Sequence, residues 1–272
     1  MNNPFTPRTA FGIVILSLLL STLLTSVVIL LLQDSSADLS FWPGVLILGE
    51  FLLILPLLIF ISRRTNDVRS ALRLNRVPRR MLGLSTIVSL GVVVWTDELD
   101  RLLVRFLPTP DWTEQFLGFL RGDDLLSLLL LFCGSVVVAA VTEEILFRGF
   151  LQNVLEKYWK DVTRAVLITS LFFAFIHMSP SWVIQIYLLA LVMGYLAWRS
   201  NSVFPSMILH GLNNGLAFLF VNWGEYFESW YVWRGHVSPF ILTGGAALTY
   251  IGFRNMAHLP AINYEAVEKE VI

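Results

Sequence analysis

The sequence predicts an all-α fold, a polytopic transmembrane helix bundle of about eight spans that forms a single membrane domain over residues 1–272. Three observations carry this. Apolar residues make up 56% of the chain and charged residues only 14%, against roughly 25% charged in a soluble domain. Mean hydropathy is +0.70. Several apolar runs reach the length of about 20 residues that a helix needs to cross the hydrocarbon.

The spans follow in order at 11–32, 41–62, 81–97, 125–157, 163–178, 182–198, 202–222 and 236–253. The first is followed by Gln33, Asp34 and Ser35 with no small-x-small cleavage pattern, which favours an uncleaved span over a secretory signal. The second carries Glu50 at its middle, the third is the least apolar, and the fourth is unusually long. Only Ser179-Pro180-Ser181 separates the fifth from the sixth. Residues 98–124 mix Glu98, Asp100, Asp111, Trp112 and Glu114 with Leu and Phe, a composition expected of an amphipathic segment lying on the membrane surface. Trp182, Trp198, Trp223, Trp230 and Trp233 fall near span ends, where interfacial aromatics belong. The acidic tail Ala261–Ile272 is expected to fray.

A net charge of −1 gives no sign of nucleic-acid binding. The single cysteine, Cys133, excludes a disulfide framework or a multi-Cys metal site within the chain, and is expected as a small buried hydrophobe. Lys and Arg are unevenly shared: with the N-terminus inside, fourteen, Lys269 among them, fall in cytoplasmic segments and four in outer ones. The bias places both termini in the cytoplasm. The Arg-rich stretch 63–80 serves as an orientation signal and also suits anionic headgroups.

Charged residues inside a span cost roughly 2.5–3.5 kcal/mol each, so each needs a reason. Most are concentrated in Thr142-Glu143-Glu144-Ile145-Leu146-Phe147-Arg148-Gly149. Two further spans carry Phe173-Ala174-Phe175-Ile176-His177 and His210-Gly211-Leu212-Asn213-Asn214. Residues four apart share a helix face, so Glu144 can pair with Arg148 while Glu143, about 100° away, cannot share that partner well. His210 and Asn214 share a face in the same way, and Phe173 lies one turn before His177. Glu144, His177 and Asn214 each sit thirteen residues from the assigned cytoplasmic end of their span, about 20 Å at 1.5 Å per residue. Three helices thus bring polar groups to one level.

Such groups can simply hydrogen-bond helices together, and for Glu144 with Arg148 that reading is as good as a catalytic one. A purely structural set has no need of an unpaired carboxylate beside two histidines. Glu143, His177, His210 and Asn214 can instead activate water, a glutamate in a low-dielectric site serving as general base and His or Asn donating to a tetrahedral oxyanion. Glu143, His177 and His210 also suit a divalent metal such as zinc, although the contiguous His-Glu-x-x-His helix is absent.

At these motifs the chain resembles the membrane-embedded CPBP family, which includes the type II CAAX prenyl endopeptidases and bacteriocin-processing or immunity proteins. The family pattern is Glu-Glu-x-x-x-Arg, then Phe-x-x-x-His, then His-x-x-x-Asn or Asp. It is matched in order by Glu143, Glu144 and Arg148, by Phe173 and His177, and by His210 and Asn214. The resemblance covers about residues 125–217, a family-like catalytic core. It implies that Glu143 activates water with help from His177, that His210 and Asn214 stabilise the oxyanion, and that Glu144, Arg148 and Phe173 support them. It implies either no cofactor or a divalent metal, and as partner a membrane-associated protein or peptide, in some members lipidated.

The expected function is therefore an intramembrane endopeptidase acting on a substrate at or within the bilayer. Two other classes compete. A non-catalytic binding or immunity protein would keep the helices and tolerate loss of Glu143. A transporter would use Glu50 with the buried His and Glu, although pairing of Glu50 with another polar group of the bundle explains that residue more simply.

Overall fold

The computed structural model describes residues 5–33, 42–107 and 109–260. Asp34 and Ser35, Lys269 and the tail Ala261–Ile272 lie outside the described residues.

Each of the eight expected segments contains helix. The first three are α1 (Pro7–Gln33), α2 (Trp42–Ser62) and α4 (Arg79–Leu103), with the single turn α3 (Val68–Ala71) ahead of α4. After the short α5 (Trp112–Phe119), the long fourth segment runs through α6 (Leu125–Phe132), a π-helical stretch (Cys133–Val138), α7 (Ala139–Glu144), a second π-helical stretch (Ile145–Gln152) and α8 (Asn153–Trp159). The remainder are α9 (Val162–Phe175), α10 (Pro180–Ser200), α11 (Phe204–Tyr231) and α12 (Pro239–Ala257). Among the described residues six stretches are long and apolar enough to cross a membrane: Pro7–Leu31, Trp42–Ser62, Arg79–Leu103, Leu125–Trp159, Pro180–Ser200 and Phe204–Tyr231. The chain is an integral membrane protein, an all-α polytopic bundle.

The fifth expected span differs in a way that matters for the site. The α9 helix has 14 residues, about 21 Å of rise against a hydrocarbon core of about 30 Å. It stops at Phe175 because Pro180 follows closely. Ser179 before that proline is extended (φ −113°, ψ 116°), and Pro180 opens α10. His177 therefore stands on the turn after α9 rather than inside a span.

Other ends have equally local causes. α10 closes on Asn201 in the left-handed region (φ 48°), a common helix terminator. α11 is kinked at Trp223 (φ −138°, ψ 28°), so its first piece ends where the seventh span was expected to end. Beyond it, Val232–Trp233 and His236–Val237 pair as a two-stranded antiparallel hairpin. Arg234 and Gly235 at its tip both take positive φ (54° and 82°), as a two-residue type I′ connection requires. Glu98 belongs to α4 rather than to a surface segment. Its carboxylate accepts from His236 Nδ1 (2.8 Å) and from the Val237 backbone N–H (2.7 Å), tying the hairpin to that helix.

Two more expectations change. Cys133 is exposed, on the outer side of the first π-helical stretch near exposed Phe132 and Val137, where lipid satisfies a thiol as well as a protein core does. Arg73, in the Arg-rich stretch, is buried and makes a bidentate ion pair with Glu156 of α8. Gln152 Nε2 donates to the same carboxylate (2.7 Å) and to Gly194 O (2.9 Å), so the buried charges are compensated. The α3 turn docks closely here: a Cβ on Gly149 would lie 2.6 Å from Leu72 O, which is why a glycine follows Arg148.

The largest core cluster joins Leu146, Phe147 and Phe150 of the long segment to Phe173 of α9 and to Leu189 and Met193 of α10. It underlies the polar residues of the three motifs.

Candidate active site

Glu143 and Glu144 are the last residues of α7, between the two π-helical stretches. π-Helical turns inside α-helices recur at functional sites because they re-aim side chains against the normal register.

The two glutamates have different surroundings. Glu144 is fully buried, and its Oε1 accepts from Arg148 Nη1 (2.6 Å) and from His210 Nδ1 (3.0 Å). Arg148 is also fully buried, and Nη2 reaches Ala190 O (3.4 Å). Glu143 Oε2 is buried and, like Glu144 Oε2, has no hydrogen-bond partner among the described residues, but Glu143 has no ion pair on its other oxygen. Such an atom is costly in a native protein and calls for an explanation. Glu143 lines a cavity of about 220 Å³ together with His177 and Ile176, with Leu53 of α2, and with Leu18, Ser21 and Thr22 of α1.

His177 is oriented by the helix end it follows. Its Nδ1 lies 2.8 Å from Phe173 O, one of the carbonyls that the last turn of α9 leaves without an intrahelical donor. A carbonyl only accepts, so Nδ1 carries the proton. In the neutral ring Nε2 then has a free lone pair. His210 follows the same logic: Glu144 Oε1 already accepts from Arg148, so His210 Nδ1 donates, and Nε2 becomes a donor only in the imidazolium form.

Phe173 joins these groups. Its ring packs edge-on against His177 (centroids 5.0 Å) and His210 (5.8 Å, planes at 88°), and the Arg148 guanidinium sits 4.2 Å from its centroid. Asn214, one turn beyond His210, donates from Nδ2 to Ser135 O (3.0 Å) in the first π-helical stretch. One N–H of that amide is engaged with backbone, leaving the other for a further acceptor.

The structure thus brings Glu143 and His177 to one cavity. It puts Glu144, Arg148 and His210 in a buried cluster behind them, with Phe173 in contact with both. Asn214 is tied to the neighbouring backbone and does not line the cavity. Among the described residues no three His, Cys, Asp or Glu side chains are grouped so as to hold a metal ion. Glu143, His177 and His210 do not form such a group in this arrangement.

Residues 125–216 match a family model described as "Type II CAAX prenyl endopeptidase Rce1-like". This segment is similar to the Rce1-like family. The match takes in about a third of the chain and supports a CPBP family intramembrane protease, with CAAX-protease-like endopeptidase activity in general. No curated protein and no solved structure matches the chain.

The Rce1-like segment does not contain the whole site. Leu18, Ser21 and Thr22 of α1 and Leu53 of α2 form much of the cavity wall, and Glu50 of α2 is hydrogen-bonded to the Thr142 hydroxyl, one residue before Glu143. An isolated carboxyl in an apolar span marked Glu50 in the sequence, but nothing local tied it to Thr142. The α1 residues carried no signal.

Proposed function

We propose that the protein is an intramembrane endopeptidase that hydrolyses a peptide bond of a membrane-associated protein or peptide with water activated by Glu143. One observation carries the reading: Glu143 has an unpartnered buried carboxyl oxygen and shares its cavity with His177.

Glu143 takes a proton from water as the oxygen attacks the scissile carbonyl carbon. His177 Nε2, with its lone pair free, accepts the water's other hydrogen and orients it. Negative charge builds on the carbonyl oxygen, for which His210 and Asn214, both outside the cavity lining, are the donors that the CPBP resemblance implies. Collapse of the tetrahedral intermediate breaks the C–N bond, and Glu143 passes its proton to the leaving amine. Glu144 and Arg148 neutralise one another and hold His210 in place. No step passes through a metal. Both termini are placed in the cytoplasm, following the Lys and Arg distribution.

The test is cleavage by the purified protein in proteoliposomes of a library of internally quenched peptides carrying an apolar membrane anchor. Glu143→Gln and His177→Ala abolish cleavage while the thermal unfolding profile persists. Full activity in either variant contradicts the assignment. An intact cellular phenotype in Glu143→Gln points to the non-catalytic binding or immunity protein instead.

A further inference from the structure

Glu50 is an acid inside an apolar span, outside the Rce1-like segment, and the mechanism above does not use it. Its place is set by close packing of α1 on α2. Ser21 Oγ donates to Gly49 O at 2.7 Å, and a Cβ on Gly49 would stand 3.3 Å from Thr25 Oγ1. The next residue, Glu50, then reaches Thr142 across 92 positions of sequence.

The Thr142 hydroxyl has more neighbours than protons. Oγ1 is hydrogen-bonded to Glu50 Oε2 and lies 2.9 Å from Val138 O, with Ala139 O at 3.3 Å. A hydroxyl has one proton to donate and two lone pairs. All three neighbours compete for that proton; turned to the helix backbone, as serine and threonine do in helix interiors, it is no longer available to Glu50. Bonding to Glu50 as well then requires the second proton to come from Glu50 Oε2.

The surrounding charges agree. His210 interacts electrostatically with Glu50, Glu143 and Glu144, whereas the Arg148 guanidinium acts on Glu143 and Glu144. Arg148 is committed to Glu144 at 2.6 Å. Two further ionised carboxylates in this interior would have at most one counter-ion between them, a protonated His210, an expensive arrangement. Glu143 works as a base only when ionised, which leaves Glu50 as the neutral acid.

We infer that Glu50 is a positioning residue of the hydrolytic site, a protonated carboxyl that donates to Thr142 Oγ1 and holds the α7 turn bearing Glu143 against α2. This rests on the proposed role of Glu143. Glu50 touches no reacting atom in this account.

Infrared spectroscopy of the protein in proteoliposomes reads the proton without a substrate, so failure of this inference and failure of the protease reading are separable. At neutral pH the wild-type spectrum contains a protonated-carboxyl C=O band that shifts on deuteration and disappears in Glu50→Gln. Thr142→Val leaves Glu50 in place and moves the band to higher frequency, because the carboxyl has lost its acceptor; this variant serves if Glu50→Gln does not fold. On the anchored peptide library, Glu50→Ala lowers kcat about a hundredfold with KM unchanged, the size expected when a catalytic group is displaced by about 1 Å. Glu50→Gln, which retains an N–H donor, restores it. A wild-type spectrum lacking the band, a band unchanged in Glu50→Gln, or a band insensitive to Thr142→Val overturns the inference.

Discussion

His177 Nδ1 donates to Phe173 O across 2.8 Å, so the end of α9 that positions the ring also selects its tautomer. The π-helical stretches flanking Glu143 and Glu144 act comparably, setting two adjacent carboxylates in different surroundings. The consequences can be measured.

The adjacent glutamates have opposite effects on stability. Arg148→Met leaves His210 as the remaining partner of the Glu144 carboxylate in a site with no solvent exposure, and breaking a buried pair by removing one partner costs about 3–5 kcal/mol. Glu143→Gln removes a carboxyl that has an unpartnered buried oxygen, and leaves the unfolding midpoint unchanged or higher. Thermal unfolding in detergent of both variants checks the contrast; equal destabilisation would contradict it.

Phe173 supports the site as well as filling the core. Phe173→Ala removes a ring that is 1% exposed and costs about 3–5 kcal/mol. Phe173→Leu retains most of the burial but loses the face under Arg148 and the edges against both histidines. It therefore keeps most of the thermal stability and loses activity. Unfolding midpoints and peptide cleavage measured together distinguish the two variants.

Much of this was legible in the chain. Charge is rare enough in apolar helices that the three motifs stand out, and four-residue spacing by itself pairs Glu144 with Arg148. Local sequence says less about the break between α9 and α10. A run of apolar residues through His177 reads as continuous helix unless Pro180 is given its full effect four residues upstream. The π-helical stretches were not legible, because no residue type marks a widened turn. Glu50 with Thr142, and the α1 wall of the cavity, depend on contacts between distant segments and leave no local pattern.

Gly149 tests the packing that holds the Arg-rich stretch against the core. Gly149→Ala places a methyl 2.6 Å from Leu72 O, an overpacking expected to cost about 1–3 kcal/mol. It loosens the α3 turn carrying Arg73, which faster proteolysis at residues 63–77 would register. An unfolding midpoint and cleavage pattern equal to wild type would contradict the close approach.

Orientation is open to a chemical test. With Cys133 replaced by serine, Asn66→Cys labels with a membrane-impermeant thiol reagent only from the cytoplasmic side, and Glu114→Cys only from the other. The reverse pattern would invert the topology.

The most direct test of the account is turnover by Glu143→Gln beside Glu144→Gln, with purified protein in proteoliposomes and the anchored quenched-peptide library. The account predicts no detectable cleavage by Glu143→Gln in a protein that unfolds like wild type, and impaired folding with reduced cleavage in Glu144→Gln. Wild-type turnover by Glu143→Gln would contradict it.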